Sequence, residues 1–161
     1  MESTLLHPPL VHFAIVLPIV ALFVQIAYSV SNNYLYSQWA SRVLIIAALF
    51  MLGAWYTGGL EGQDVYPLLN DAGQSALKQH KNIGLYLMII TIILALIKFI
   101  ACKSRNVVLE TIVLVGLLGI SSGLAYQGLL GGDVVYKYGG GVENYSDGQD
   151  CLDDPESYTE E

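Results

Sequence analysis

Four long stretches of apolar residues, almost free of charge, restrict what this chain can fold into. They cover residues 10–30, 40–58, 83–101 and 107–128. A helix needs about 20 residues to cross the hydrocarbon core of a bilayer, and each stretch is close to that length. Only 13% of the 161 residues are charged, whereas about 25% are charged in a typical soluble domain. The sequence therefore predicts an all-α membrane protein, a bundle of four transmembrane helices.

The first apolar stretch has the position of a signal peptide but not its composition. The segment before it, Met1–Thr4, contains an acid and no base. The stretch is too long, Pro18 interrupts it, and no small-x-small cleavage motif follows. We therefore expect it to remain as the first transmembrane helix.

Lysine and arginine predict the orientation, because cytoplasmic loops are enriched in both. One side of the membrane is assigned four cations, Arg42, Lys98, Lys103 and Arg105. The other side is assigned three, Lys78, Lys81 and Lys137. The denser cluster is predicted to be cytoplasmic. The chain is then an inner-membrane protein of bacterial type with both termini in the periplasm.

The C-terminal part of the chain differs from the rest in composition. Residues 1–138 are predicted to form the transmembrane domain, and residues 139–161 an acidic, disordered tail on the outer side. With the rest of that side, the tail accounts for most of the net charge of −7. Cys102 and Cys151 are predicted on opposite sides of the membrane and therefore cannot form a disulfide within one chain.

An internal repeat joins the two halves of the chain. GLEGQDVY at residues 59–66 resembles GLLGGDVVY at residues 128–136. The predicted fold is therefore two repeated helical hairpins, over about residues 5–66 and 74–136. Both hairpins start on the same side, so an axis along the membrane normal relates them.

The repeat also relates the histidines of the two halves. Nearly the same offset brings His12 onto His80, one residue out of register, whereas His7 falls on Ser75. His12 and His80 would then lie near one membrane surface and oppose each other across the bundle axis. Neutral imidazole is a good axial ligand for haem iron, so this arrangement favours haem b.

Other residues are assigned to the same cofactor site. Gly84 follows His80 by one helical turn and would leave space for a porphyrin ring. Lys81 and Tyr136 lie near the predicted membrane surface and would interact with polar groups of the haem. His7 is predicted either to cap the first helix or to support the site, with direct ligation as a further possibility.

Two alternatives to haem remain open. His12, His80, Asp64 and Asp133 could together bind a divalent transition metal such as zinc, iron or copper, in a binding or transport protein. The chain could also be a structural subunit that binds no cofactor and packs against a larger membrane complex.

Two motifs resemble a known family. HPPLVHFAIVLP at residues 7–18 and GLLGGDVVYKYGGGV at residues 128–142 resemble a bacterial family of four-helix membrane proteins, domain of unknown function 2231. The resemblance covers about residues 5–142. Ala14 stands where the family commonly has proline, and Tyr138 lies near a position often occupied by histidine. The resemblance implies the four-helix fold and a similarity to membrane b-type cytochromes, without a substrate.

Common enzyme motifs are missing from the sequence. It has no P-loop, no GxSxG and no HExxH motif, and no basic patch for nucleic acid. Glu110 is the only acid of the membrane-embedded part. We therefore expect an electron-transfer or binding module rather than an enzyme. Its expected partners are the lipid bilayer, quinol, a periplasmic electron carrier or a larger respiratory complex, and a second copy in a homodimer.

Overall fold

The computed structural model describes residues 6–141, which form four long helices. These are α1 (His7–Ser31), α2 (Tyr34–Val65), α3 (Asp71–Ser104) and α4 (Val107–Gly132). A single helical turn, Tyr66–Leu68, follows α2, and a wider turn, Asp133–Lys137, extends α4. All four helices are long and apolar enough to cross a membrane, and the described residues form no strand. The predicted four-helix membrane fold is confirmed. Most of the predicted acidic tail, from residue 142 onward, lies outside the described residues.

The same two-residue turn closes both hairpins. Asn32 and Arg105 end α1 and α3 in the left-handed conformation, each with a φ of 52°. Asn33 and Asn106 then begin the next helix, and their side-chain oxygens accept backbone N–H groups at 3.1 and 2.9 Å. Because the turns start at residues 32 and 105, the structure sets the repeat offset at 73 residues.

The buried side chains follow the same offset. Those of α1 are Ala14, Pro18, Ala21, Leu22 and Gln25. The positions 73 residues later in α3 are Leu87, Thr91, Leu94, Ala95 and Lys98, and all five are buried. The two repeated hairpins are thus confirmed, but the register predicted from the glycine-rich motifs is corrected by about four residues. That correction is about one helical turn.

The helices pack in a ring that follows chain order. Neighbouring helices pack against each other, α4 closes the ring against α1, and no Cα atoms of a diagonal pair of helices come within 8 Å of each other. We call the end of the bundle with His7 and His80 the histidine end, and the opposite end, with Lys98 and Glu110, the Glu110 end. Buried positions alternate three and four residues apart, which is the spacing of left-handed helix packing.

Charged residues mark the limits of the hydrophobic zone. In α2 no charged residue occurs between Arg42 and Glu61, a rise of about 28 Å that matches a bilayer core. With 32 and 34 residues, α2 and α3 extend beyond that zone.

One cation used in the orientation prediction is buried inside the bundle. Lys98 was assigned to the third connection, but it lies within α3 and is 0% exposed. Without Lys98, each end of the bundle has three of the cations used in that comparison. Those at the Glu110 end are Arg42, Lys103 and Arg105, and those at the histidine end are Lys78, Lys81 and Lys137. The periplasmic placement of the termini therefore stays a prediction.

Two glycines of α4 let α3 approach closely. A Cβ at Gly116 would lie 2.6 Å from the Leu94 side chain, and one at Gly123 would lie 2.7 Å from Leu87. Gly119, between them in sequence, has open space at the same position. Gly116 and Gly123 are seven residues apart, so both face α3 in the heptad pattern.

We expect Gly123→Leu to lower the free energy of unfolding by about 1–3 kcal/mol, because the added side chain overpacks the contact with Leu87. Gly119→Leu is the matched control and should change stability little. An SDS titration of the purified protein, followed by circular dichroism, measures both. Equal losses for the two variants would contradict this account of the α3–α4 contact.

Candidate functional site

His7 lies in the first turn of α1 and faces α2. Its imidazole occupies the space beside Gly58, where a Cβ would lie 2.6 Å from the ring. Thr57 Oγ1 lies 3.4 Å from His7 Nδ1, while the Thr57 hydroxyl donates to a backbone carbonyl at 2.9 Å. Thr57 therefore accepts from His7 Nδ1–H, which leaves the lone pair of His7 on Nε2.

The first helix is capped from α2 and not by the predicted imidazole. The His7 backbone N–H donates to Glu61 Oε1 at 2.9 Å, and no side chain caps α1 at Leu6. A carboxylate at a helix N-terminus is favourable, because unpaired backbone N–H groups point towards it. The side chain of His7 is thus not needed as a cap.

His80 lies in α3 and faces α4. Gln127 Nε2 donates to the His80 carbonyl oxygen at 2.9 Å and lies 3.3 Å from His80 Nε2. A Cβ at Gly131 would lie 3.0 Å from the imidazole. His80 Nδ1 and Gln127 Oε1 are both buried without a hydrogen-bond partner. Within residues 6–141 the other such atoms are Gln25 Oε1 and Ser121 Oγ, and unsatisfied buried polar groups are uncommon in proteins.

The two halves of this site are equivalent by the 73-residue repeat. His7 corresponds to His80, and Gly58 corresponds to Gly131. In each hairpin the histidine of the first helix packs against the glycine of the second. The histidine that matches His80 in the structure is therefore His7 and not His12.

The structure places His12 away from this pair. Its side chain is exposed on α1, and its Nδ1–H donates to the Pro8 carbonyl oxygen at 2.6 Å. The predicted opposition of His12 and His80 across the bundle axis is not found, because the sequence alignment was displaced by one helical turn. The described residues contain no two histidines in hydrogen-bonding contact.

The remaining predicted site residues are distributed around the histidine end. Gly84 does leave space beside His80, but the Gln127 amide occupies it, 2.9 Å from where a Cβ would be. The exposed ones are Asp64, Lys81, Asp133 and Tyr136. Between residues 6 and 141, no group of three or more histidine, cysteine, aspartate and glutamate side chains could hold a metal ion. The predicted set of His12, His80, Asp64 and Asp133 is thus not assembled.

A second polar cluster lies at the Glu110 end, and each of the four helices contributes one side chain. Glu110 of α4 accepts from Lys98 of α3 at 2.5 Å, from Ser37 of α2 at 2.6 Å and from Gln25 of α1 at 2.7 Å. Lys98 also donates to Ser37 at 3.0 Å. All four residues are buried, so the ion pair is fully enclosed. We call these residues the Glu110 network.

The 73-residue repeat also organises this network. Gln25 corresponds to Lys98, and Ser37 corresponds to Glu110. Glu110 stands out in the sequence as the acid of the membrane-embedded part, whereas Lys98 was predicted to lie in a connection. A signal was available, because Lys98 and Glu110 lie seven residues before and five after Arg105, where the chain turns. Opposite charges at similar distances from a tight turn face each other in a helical hairpin.

We expect Lys98→Met to destabilise the bundle by about 3–5 kcal/mol, because it leaves the Glu110 carboxylate buried without its cation. The double variant Lys98→Met/Glu110→Met removes both charges and should recover much of that loss. Lys103→Met, which removes an exposed cation of the same helix, is the control. Stability in an SDS titration tests the comparison, and a double variant no more stable than Lys98→Met would contradict it.

Comparison with known protein families identifies the family of this chain. The family described as predicted membrane protein, DUF2231, matches residues 4–144. No curated protein and no solved structure matches the chain.

Proposed function

The chain belongs to the DUF2231 family of predicted membrane proteins, and from this starting point we propose that it is a membrane-embedded b-type haem protein that transfers single electrons. His7 and His80 are the residues that would hold its iron. This replaces the pair His12 and His80, because His12 is exposed and bound to the Pro8 carbonyl. The observation that carries the proposal is the equivalence of His7 and His80 in the two hairpins.

The donor set at the histidine end fits haem iron better than a bare metal ion. A structural or catalytic zinc site needs three or four protein ligands, and the described chain assembles no such group. Haem iron needs only two axial ligands, since the porphyrin supplies the other four. Two half-buried imidazoles, His7 and His80, supply that number of ligands.

The protein also contains groups that would orient both ligands. Thr57 accepts from His7 Nδ1–H and keeps Nε2 available. Gln127 Nε2 lies 3.3 Å from His80 Nε2, so the Gln127 amide can hold the orientation of the His80 ring. A ligand imidazole is commonly fixed in this way through its other ring nitrogen. Gly58 and Gly131 let each ring approach the neighbouring helix.

Haem bound at this position would supply reversible one-electron exchange close to one membrane surface. The exposed Lys81, next to His80 in sequence, is the proposed partner of a propionate. We propose quinol in the bilayer and a soluble carrier or respiratory complex as redox partners. The inner membrane, with the histidine end at the periplasmic surface, is the proposed location.

A visible spectrum of the detergent-purified protein, expressed with ample haem precursor, tests the proposal. We expect a Soret band that sharpens and shifts on reduction, with one haem per chain by pyridine haemochrome. His7→Ala and His80→Ala should each lose the low-spin spectrum, because each removes one axial ligand. Circular dichroism verifies that both variants are folded.

His12→Ala is the matched control, because His12 lies on the same helix as His7 but faces outward. It should keep the full haem content and spectrum. The proposal would be overturned if the wild-type protein contained no haem. The assignment of His7 would be overturned if His12→Ala lost the spectrum while His7→Ala kept it.

We further expect Gln127→Leu to retain haem but to bind it about 10- to 100-fold more weakly, because the contact of the Gln127 amide with the His80 ring is lost. The low-spin spectrum should remain, since both axial ligands are present. Gln79→Leu, which alters an exposed glutamine near His80, serves as the control. Haem affinity is measured by transfer to apomyoglobin. An unchanged transfer rate for Gln127→Leu would contradict the positioning role of Gln127.

A further inference from the structure

An apolar groove runs between α2 and α3 on the membrane-facing surface, remote from the histidine end. Its volume is about 350 Å³, and apolar side chains from Ile45 to Leu52 of α2 and from Ile92 to Phe99 of α3 line it. Seven residues on each helix correspond to a length of about 10 Å. The groove therefore has the shape and polarity to hold part of one hydrocarbon chain.

Two cations lie at the end of this groove nearest the Glu110 end. Arg42 precedes Ile45 by one helical turn, and its guanidinium lies 5.0 Å from the centre of the Trp39 ring. Lys103 follows Phe99 by one turn, and its ammonium lies 5.2 Å from the centre of the Phe99 ring. Since Phe99 also lines the groove, Lys103 lies directly beyond the groove's end.

These cations carry uncompensated charge. Both are exposed, and the ion pair found within residues 6–141 is that of Lys98 with Glu110. Glu110, the only described acid at this end, is fully occupied by the Glu110 network. An anion that approaches Arg42 and Lys103 therefore meets no nearby carboxylate of the described chain.

We propose that this groove binds an anionic phospholipid, with one acyl chain between α2 and α3 and the phosphate between Arg42 and Lys103. The two parts lie in the order a phospholipid requires. The apolar groove lies within the hydrophobic zone, and the cations lie near its boundary, at the level of the headgroups. Tryptophan and tyrosine favour the same level in membranes, and Trp39 and Tyr34 lie at this end of α2.

Native mass spectrometry of the protein with added phosphatidylglycerol or phosphatidylcholine tests the proposal. We expect one retained phosphatidylglycerol per chain and weaker retention of phosphatidylcholine. Arg42→Gln/Lys103→Gln should weaken phosphatidylglycerol binding about 30-fold, the combined effect of two cations near an anionic headgroup. Ala48→Phe, which fills the groove without a change of charge, should weaken the binding of both lipids.

Lys78→Gln/Lys137→Gln removes the same charge at the histidine end and is the matched control. It should bind phosphatidylglycerol as the wild type does. Equal losses in the two double variants would show that net charge, and not this site, attracts the lipid, and would overturn the proposal. So would full retention of phosphatidylglycerol by Arg42→Gln/Lys103→Gln. Neither outcome depends on haem, so the lipid site and the proposed function fail or hold separately.

Discussion

The carboxylate of Glu110 joins all four helices, and the arrangement of the bundle depends on it. It accepts hydrogen bonds from one side chain of each of the other helices, one of which is the ammonium of Lys98. Apolar packing alone discriminates weakly between arrangements of apolar helices in lipid, since the surrounding chains are equally apolar. A buried ion pair with all its oxygens bonded has one favourable geometry. The network therefore specifies which helices are neighbours and at which register they meet.

The same register places the two histidines. Because Gln25 and Ser37 meet Lys98 and Glu110 as 73-residue equivalents, the hairpins are related from the Glu110 end to the histidine end. His7 and His80 are then equivalent without any direct contact between them. The repeat has diverged differently at its two ends. At the Glu110 end, the neutral Gln25 and Ser37 of the first hairpin contact the charged Lys98 and Glu110 of the second. At the histidine end, each hairpin has an imidazole packed against a glycine.

The sequence was sufficient for the fold because each helix had to supply about 20 apolar residues, and that requirement is visible as composition. The sequence was not sufficient for the register of the repeat, because GLEGQDVY and GLLGGDVVY align by letters at an offset of about 69 residues. The turns at Asn32–Asn33 and Arg105–Asn106 show the offset of 73. A shift of four residues keeps each side chain on nearly the same helix face, so the hydrophobic pattern could not expose the error. Because of this error, His12 and not His7 was predicted as the partner of His80.

Free polar atoms for a bound cofactor and specific contacts between helices are conflicting requirements in a small membrane protein. Each is met at a different end of the bundle. The proposed redox site would need polar atoms that are free before the cofactor binds, and His80 Nδ1 and Gln127 Oε1 both lack a partner. Such atoms weaken the helix contacts around them, because each unsatisfied buried group costs about 1–3 kcal/mol. At the opposite end, both oxygens of the Glu110 carboxylate are bonded, although Gln25 Oε1 of the same network lacks a partner. Concentrating specificity at the Glu110 end lets the histidine end remain incomplete without loss of the helix order.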